Sequence, residues 1–460
     1  MRSHQHPAEL IRFILCLAIL FSSASCARKN APRGSGGQEP SDARRVGEAM
    51  DAAVSGYVSS LPESVWISQI FLVNVEGDER YSAVESASSL GGGEDAPLVP
   101  GGVLLFSYNI SKDPLRTAEY IRSIRDFYLK SGNVPPYIAV DQEGGDVNRL
   151  RSLTSVLWSQ KKVAESFSHE GAAELYGAQA RQMRNLGFQM NLAPVVEVEN
   201  EANREFLGTR TFGTVEDIGA YGRIAVTSYE DAGVASVLKH FPGNSGTDPH
   251  TGLPEITVTK SQLEADYIAP FKELSPLSSA VLMSHARVTV TDDDGFAGAG
   301  TPACLSRYWV TDILRGELGF DGLVLSDDIF MGALARNGFP PDVAAVSAIE
   351  AGVDVIMLSE KRFGRVAGIL LERAGEDENF RAELRRAVTN VIRFKIKAGI
   401  LEIDGVALAE TDGLAGAGKT QRGEEVPEFT VRVRPDGGEF DLGRFNEDYK
   451  AGMRAFDLGK

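Results

Sequence analysis

Cysteine is nearly absent from the 460-residue chain, and two of the three cysteines, Cys16 and Cys26, lie in the N-terminal leader. Cys304 is the only thiol in the remaining sequence, so a disulfide framework and a cysteine-based metal site are excluded. Basic residues are also scarce, since 47 Lys and Arg stand against 64 Asp and Glu and the formal net charge is −17. No basic run occurs either, which argues against a nucleic-acid partner.

The leader lacks an apolar run of membrane-spanning length, because residues 13–21 are too few to cross a bilayer as a helix. Two arginines precede this run and small residues follow it, so residues 1–26 are predicted to be a signal peptide. Ser-Ala-Ser before Cys26 resembles a bacterial lipobox, although Ser23 stands where Leu is usual. Lipidation of Cys26 would give a membrane-anchored lipoprotein facing the periplasm or the cell surface. Cleavage after Ser25 without lipidation is the alternative, and either route predicts export.

The remaining chain divides by composition into a tether, a long regular region and a tail. Residues 27–41 are rich in Gly, Ser, Arg and Pro and are predicted to be flexible. Over residues 42–400, short β-branched runs alternate with amphipathic helical stretches, which predicts a single (β/α)8 TIM-type barrel of the α/β class. An open doubly wound sheet would need a Gly-rich phosphate turn after its first strand, and none is present there. The predicted strands are residues 67–73, 102–106, 137–140, 189–196, 235–238, 280–283, 323–325 and 353–357.

Regular periodicity fails in the tail, so residues 401–460 are predicted to form an irregular C-terminal extension. Residues 413–420, GLAGAGKT, match the P-loop pattern within this tail. A nucleotide-binding P-loop must join a buried strand to a helix, whereas polar residues flank this stretch on both sides. We therefore interpret the match as coincidence.

The loop at residues 239–250, KHFPGNSGTDPH, carries most of the candidate chemistry. An apolar run feeds into it, and its Gly and Pro residues exclude a helix or a regular strand beyond the first two positions. Lys239 and His240 lie at the strand end, and Asp248 and His250 lie at the far end of the loop. Polar residues on such a loop are typical of α/β enzyme sites, and a solvated surface loop is the alternative.

Other predicted strand ends carry polar residues as well. Asp141 and Arg149 suit a polyhydroxylated ligand, because a carboxylate accepts hydrogen bonds from hydroxyls and Arg donates in a fixed fork. Arg210 could bind a ligand or only pack against its aromatic neighbour. His285 is equally compatible with a structural and a functional role. Asp327 follows a fully apolar strand and is a candidate nucleophile.

Taken together, these motifs resemble the N-terminal barrel of glycoside hydrolase family 3, and more narrowly its bacterial β-N-acetylhexosaminidase branch. The resemblance covers about residues 67–400. It rests on spaced motifs at residues 141–149 (DQEGGDVNR), 193–195 (APV), 210–213 (RTFG), 239–243 (KHFPG), 248–250 (DPH) and 318–328 (LGFDGLVLSDD).

The resemblance implies a role for each candidate residue. Asp327 matches the nucleophile that forms a covalent glycosyl-enzyme, His250 the general acid/base, and Asp248 the residue that orients it. The residues that match those holding the terminal sugar are Asp141, Arg149, Arg210, Lys239 and His240. No cofactor and no metal are implied. Asp328 is expected to cap the next helix.

The chain departs from the family pattern at three points. Asp146 stands where the family usually has Arg, Asn244 replaces a His, and the loop before Asp248 is two residues shorter than is common. The implied activity is exo-acting, retaining removal of terminal β-N-acetylglucosamine from cell-wall or chitin-type glycans. Within the family, a β-glucosidase or a phosphorylase is the alternative, and a non-catalytic glycan-binding lipoprotein is a third possibility. The sequence predicts no oligomeric state.

Overall fold

The computed structural model describes residues 42–406, 428–434 and 438–459. The predicted signal peptide with Cys26, the tether up to residue 41 and the P-loop-like stretch at 413–420 lie outside these residues. The described chain forms two compact units, one from residues up to 61 together with 401–433, and the other from residues 62–400 and 434–460. The second unit contains the barrel and every predicted site residue.

Eight parallel strands follow one another around the sheet in chain order. The pairing of Leu325 with Val355 joins the last strands to each other, so the sheet closes on itself. The predicted (β/α)8 barrel is therefore confirmed. Its strands are β1 (Phe71–Asn74), β2 (Gly102–Leu105), β3 (Tyr137–Val140), β4 (Met190–Asn191), β5 (Ala235–Phe241), β6 (Ala280–Met283), β7 (Leu323–Leu325) and β8 (Ile356–Leu358).

The strands are buried on both faces and mainly apolar, and Lys239 and His240 near the end of β5 are among the polar exceptions. Side chains from all eight strands form one core cluster, which includes Leu72, Leu104, Val237 and Leu282. Phe394 of the last barrel helix joins this core and meets Tyr137 edge to face, with 5.2 Å between ring centroids. The barrel interior is thus filled by side chains, and ligands must bind at its ends.

Helical segments follow every strand except β1. Residues 75–101, all of them described, contain only the short antiparallel pair Glu85–Ser86 with Pro97–Leu98 and the 3-10 turn Ala87–Leu90. The three longest helices between residues 62 and 400 begin at capping side chains, which are Asp113 for Pro114–Lys130, Ser168 for His169–Leu186 and Asp377 for Glu378–Lys397. The other α- and π-helical segments between residues 62 and 400 are Glu63–Ser68, Gln160–Ser166, Arg204–Leu207, Val215–Asp217, Ile218–Gly222, Arg223–Asp231, Lys260–Gln262, Leu263–Ile268, Ala269–Leu274, Tyr308–Glu317, Gly332–Arg336, Pro341–Ala351 and Gly364–Glu376, and further 3-10 turns lie at Ser107–Asn109, Ser275–Leu277 and Ala303–Leu305.

Some predicted boundaries are wrong by several residues. The first predicted strand began at residue 67, but helix Glu63–Ser68 occupies its start. The fourth is only Met190–Asn191, because the chain beyond it is extended and pairs again only where Val195 meets Lys239. The predicted long helix at 362–398 is two helices, since the side chain of Asp377 caps the second one and so ends the first.

The expectation of an irregular tail is wrong for the segments that the structure describes. Leu401–Val406 (β9) and Glu428–Val433 (β10) pair as antiparallel strands in the first unit, which also contains helix Asp42–Ser60. Within the barrel unit, helix Leu442–Leu458 packs on helix His169–Leu186. Gly452 permits this close approach, because a Cβ there would lie 3.2 Å from the Cβ of Ala178 on that helix and would clash with Ser155 beside it. Such a contact depends on an absent side chain, and apolar periodicity does not reveal it.

No helix within the described ranges is long and apolar enough to cross a membrane.

Candidate active site

The predicted site residues follow the barrel strands at one end of the sheet. Asp141 directly follows β3, Arg210 lies in the connection after β4, and Asp327 is the second residue past β7. Lys239 and His240 lie within β5, which continues to Phe241 and not only to residue 238 as predicted. Since the carboxyl ends of parallel strands meet at the same end of a barrel, these residues share one face.

Four charged residues at this face form a buried network, hereafter the ionic cluster. Lys239 Nζ lies 2.7 Å from Asp141 Oδ1 and 2.6 Å from Glu143 Oε1. Arg210 binds the Glu143 carboxylate with both arms, from Nε to Oε2 and from Nη2 to Oε1, each at 2.8 Å. The side chains of Lys239 and Glu143 are only 3% and 1% exposed. The cluster therefore forms charge-assisted hydrogen bonds away from bulk water.

The members of the cluster stabilise one another's charged forms. Burial by itself would raise the pKa of Glu143, but Lys239 and Arg210 lower that pKa to about 2. Burial also opposes the charge on Lys239 and on Arg210, and the neighbouring carboxylates outweigh it and raise the pKa of both. These three groups are ionised at neutral pH, and together they offer fixed donors and acceptors to the hydroxyls of a sugar.

His240, the residue after Lys239, forms a second buried pair with Glu197. His240 Nδ1 lies 2.7 Å from Glu197 Oε1, and the same oxygen accepts a hydrogen bond from Asn244 Nδ2 at 3.2 Å. Because the carboxylate engages Nδ1, Nε2 is the ring nitrogen that can reach a ligand. Asn244, which departs from the family pattern, therefore supports the carboxylate that orients His240.

Asp327, the predicted nucleophile, is 7% exposed. Burial raises its pKa, but His285, His240 and Lys239 outweigh this effect, and the pKa is lowered overall. Its Oδ1 also accepts a hydrogen bond from the backbone N–H of Asp328 at 2.8 Å. The carboxylate is thus ionised in a nearly dry environment, and Lys239 of the ionic cluster is one of the charges that favour its ionised form.

His285 had two open interpretations, and its contacts support the structural one. The side chain is fully buried, with Nε2 donating to the carbonyl oxygen of Asp328 at 3.0 Å and Nδ1 lying 3.2 Å from Cys304 Sγ. Burial raises the pKa of the Cys304 thiol well above its usual value, so this group stays a thiol. His285 therefore holds the chain segment that carries Asp327.

Asp328 caps a turn and not the next helix as predicted. Its Oδ1 accepts hydrogen bonds from the backbone N–H groups of Phe330 and Ser359, both at 3.0 Å. The helix that follows begins at Gly332 without a side-chain cap. Asp328 thus ties the turn after β7 to the turn after β8.

Arg149 is half-buried at the same barrel face. Its guanidinium lies 5.6 Å from the ring centroid of Phe106, in cation–π geometry. Its Nε is buried and donates to no other described residue. Phe106 stacks in turn on Tyr108, whose phenol oxygen accepts a hydrogen bond from Asn74 Nδ2 at 3.2 Å. An arginine whose guanidinium lies over an aromatic ring and keeps an unused donor suits the binding of a polar ligand.

Asp248 and His250 form a dyad on the loop after β5. Asp248 Oδ1 lies 2.8 Å from His250 Nδ1 and accepts a second hydrogen bond from the His250 backbone N–H at 2.9 Å. That backbone hydrogen bond lowers the pKa of Asp248 and outweighs its partial burial. The two side chains are 50% and 70% exposed, so Nε2 of His250 faces outward. We call residues 246–252 the acid/base loop, after the role predicted for His250.

Two carboxylates, Glu143 and Glu197, were missed as site residues. Glu143 links Arg210 to Lys239, and Glu197 orients His240. The motif at residues 141–149 contained the signal for Glu143, because it lies two residues after Asp141 in an extended segment and so on the same side. In the described ranges, no group of three or more His, Cys, Asp and Glu side chains is placed to hold a metal ion.

The family description "Glycosyl hydrolase family 3 N terminal domain" matches residues 97–394. The chain belongs to glycoside hydrolase family 3. This membership confirms the family predicted from the spaced motifs, and the match spans the strand ends that carry the ionic cluster, Asp327 and the Asp248–His250 dyad.

Individual family members are similar over most of their length. A protein of Tolumonas auensis named Beta-hexosaminidase is 31% identical over 275 residues, which are 58% of this chain and 78% of that protein. Another of that name, from Alkalilimnicola ehrlichii, is 33% identical over 56% of this chain and 73% of its own. The solved glycoside hydrolase family 3 beta-N-acetylglucosaminidase from Paenibacillus sp. is 26% identical with a TM-score of 0.66, covering 87% of this chain and 69% of that one.

Proposed function

We propose that this chain is an exo-acting, retaining β-N-acetylhexosaminidase that removes terminal β-N-acetylglucosamine from cell-wall or chitin-type glycans. Family membership and the names of the bacterial relatives support the activity. The observation that carries the mechanism is the buried Asp327 carboxylate, whose pKa is lowered by the charges of His285, His240 and Lys239 in spite of its burial. A carboxylate kept ionised beside sugar-binding groups is what a covalent glycosidase needs.

The ionic cluster holds the terminal sugar in this proposal. Asp141 and Lys239 offer an acceptor and a donor that are already bound to each other at 2.7 Å. Arg149, Arg210 and His240 add further donors at the same barrel face. Since these groups are fixed by one another before substrate arrives, little ordering remains to be done on binding.

The first chemical step forms a glycosyl ester. A carboxylate oxygen of Asp327 attacks the anomeric carbon, and the bond from that carbon to the leaving oxygen breaks. His250 enters the step as an imidazolium, with Nδ1–H directed to Asp248 and Nε2–H donated to the leaving oxygen. Asp248 fixes the ring orientation and stabilises the cation.

The second step releases the sugar with retained configuration. Neutral His250 accepts a proton from water through Nε2, and the water oxygen attacks the anomeric carbon. The glycosyl ester bond breaks, and Asp327 leaves as a carboxylate. His250 can take the place of a second carboxyl because Asp248, whose pKa is lowered, lies 2.8 Å from its Nδ1 and can stabilise the imidazolium.

Turnover of nitrophenyl N-acetyl-β-glucosaminide beside nitrophenyl β-glucoside tests the proposal. Each substrate is measured with and without phosphate. We expect turnover of the first substrate, little of the second and free N-acetylglucosamine as product. A preference for the glucoside would contradict the proposed specificity. Formation of a sugar 1-phosphate would identify a phosphorylase, which remains open because an imidazole acid/base adds no negative charge that repels phosphate.

Export and anchoring through lipidated Cys26 are part of the same proposal. The support is the apolar leader and the small residues before Cys26. A lipid chain contributes about 0.8 kcal/mol per buried methylene, so removing it should release the protein. We expect Cys26→Ser to move the protein from the membrane fraction to the soluble exported fraction. Retention of the variant in the membrane fraction would contradict the lipid anchor.

A further inference from the structure

Arg336 contacts the acid/base loop from a different part of the barrel. It ends the short helix Gly332–Arg336, which follows the turn that carries Asp327. Its Nη2 donates to the backbone carbonyl oxygen of His250 at 2.8 Å. The guanidinium thus connects the segment after β7 to the residue that serves as acid/base.

This contact is distinctive among the hydrogen bonds of the acid/base loop. The others are local, since Thr247 N–H binds Ser245 Oγ, His250 N–H binds Asp248 Oδ1, and the N–H groups of Thr251 and Gly252 bind the Asp248 carbonyl. In the described part of the chain, Arg336 alone provides residues 246–252 with a hydrogen bond from a distant segment. The backbone at His250 is thus hydrogen-bonded to the segment after β7 through this side chain.

Gly332 makes room for the guanidinium. A Cβ at position 332 would lie 2.4 Å from Arg336 Nη1 and 2.8 Å from its Nη2. Any side chain there must displace the guanidinium, and the displaced group is the end of a flexible chain, so the fold itself can accommodate the change. Gly332 and Arg336 therefore act as a pair in placing the donor.

We propose that Arg336 is a positioning residue that holds the acid/base loop in place for proton transfer. The inference rests on the proposed role of His250. An exposed loop with two glycines samples several conformations, and a charge-assisted hydrogen bond from Arg336 favours the one in which His250 is placed for catalysis. The remaining local bonds keep the Asp248–His250 dyad intact, so losing Arg336 misplaces the dyad without breaking it.

Three single variants test this role. Arg336→Ala removes the donor, Gly332→Ala keeps the charge but displaces the guanidinium, and Arg454→Ala removes an exposed arginine from helix Leu442–Leu458 as a control. Each is assayed on nitrophenyl N-acetyl-β-glucosaminide and on chitobiose. We expect Arg336→Ala and Gly332→Ala to lower kcat on chitobiose roughly ten-fold, the loss typical of one hydrogen bond to a charged group. The activated substrate should change by less than about two-fold, because nitrophenolate needs little proton donation.

Two further measurements separate a positioning role from a structural one. Amide hydrogen exchange at residues 246–252 should speed up in both variants while the melting temperature stays that of Arg454→Ala. Arg336→Lys should recover part of the chitobiose activity, since the amine can still donate a single hydrogen bond. Equal losses on both substrates, or unchanged exchange in the loop, would overturn the proposal. If His250→Ala also loses the same rate on both substrates, then the acid/base assignment of His250 is wrong. If His250→Ala loses more rate on chitobiose but the Arg336 and Gly332 variants do not, then only the present inference is wrong.

Discussion

Lys239 lies in β5 and His250 in the connection that follows this strand, yet the chain holds them in opposite ways. Lys239 is 3% exposed and bound to two carboxylates, whereas the side chain of His250 is 70% exposed and bound to one. The charged side chains of the ionic cluster are held in place by ion pairs with one another, largely away from water. The dyad is fixed by local hydrogen bonds on a loop and by one contact from Arg336.

This difference matches the two tasks of the proposed mechanism. Recognition of a terminal sugar requires donors and acceptors in a constant geometry, which buried ion pairs provide. Proton transfer to a departing group requires an acid/base that admits substrate, follows the leaving oxygen and later accepts a proton from water. A loop that opens and closes meets that requirement, and we expect residues 246–252 to close over bound sugar.

The largest effect is expected where the rigid part of the site performs chemistry. Asp327→Ala should lower kcat by roughly 10⁴-fold or more on every substrate. Covalent catalysis is lost whether the leaving group is good or poor. Folding and sugar binding should be nearly unchanged, as judged by melting temperature and product affinity. Incubation of the native enzyme with a 2-deoxy-2-fluoro glycoside should label a peptide that contains Asp327. A label on Asp141 or Asp328 would assign the nucleophile elsewhere.

The loop should respond differently, because its proton matters only for some leaving groups. His250→Ala should cost about 10²- to 10⁴-fold on chitobiose, the usual contribution of general acid catalysis, and far less on nitrophenyl N-acetyl-β-glucosaminide. His169→Ala, which removes an exposed imidazole at a helix start, should change neither rate. Equal losses on the two substrates would mean that His250 only binds sugar and that the proton donor lies elsewhere.

Sequence patterns predicted the barrel well because each strand is an apolar run with turn residues at its ends. They located Asp141, Lys239 and Asp327 at one barrel face for the same reason, since position along a strand determines which end a residue occupies. The partners of these residues were harder to find. Glu197 lies on the extended chain after β4 and binds His240 on the neighbouring strand β5, and its neighbours in sequence give no sign of that contact.

Burial also escaped the sequence analysis. Asp248 and Lys239 are both charged residues of one Gly/Pro-rich stretch. Their residue types do not predict that the side chain of Lys239 is buried and that of Asp248 is exposed. The tail illustrates the same difficulty, because helix Leu442–Leu458 is stabilised by contacts that depend on Gly452 and on the ion pair of Arg181 with Asp448 at 2.6 Å. Such tertiary contacts produce no regular spacing of apolar residues from which the helix could be predicted.

A third prediction concerns the stability of the ionic cluster. Glu143→Gln leaves Lys239 and Arg210 buried without their shared carboxylate, so the free energy of unfolding should fall by about 3–5 kcal/mol. Glu273→Gln is the matched control, because it breaks the exposed pair with Arg223 at 2.9 Å, where both side chains are more than 40% exposed. The control should cost at most about 1 kcal/mol. Similar urea midpoints for both variants would mean that the cluster is solvated in solution.

The pH dependence of that stability follows from the direction of the pKa shift. The pKa of Glu143 is lowered to about 2 in the folded protein, so folding favours its ionised form. Its stabilising contribution is complete above the ordinary carboxyl pKa and is lost as the pH falls from there towards the folded pKa. The difference in stability between the native protein and Glu143→Gln should therefore shrink between pH 5 and pH 3, measured from urea unfolding. A constant difference would contradict the ionised cluster.

The smallest effect is expected at Asp248, and it decides whether the exposed dyad acts as one unit. Asp248→Asn keeps an oxygen that can accept from His250 Nδ1 but loses the charge that stabilises the imidazolium, so chitobiose turnover should fall roughly ten-fold. Nitrophenyl glycoside turnover should hardly change, and Asp294→Asn, an exposed loop substitution, should affect neither. In the His250→Ala background, Asp248→Asn should cost nothing more, because residues that act only through a partner have no effect once that partner is gone. A further loss in the double variant would show that Asp248 contacts the substrate itself. The dyad would then resemble the ionic cluster in function, despite its exposure.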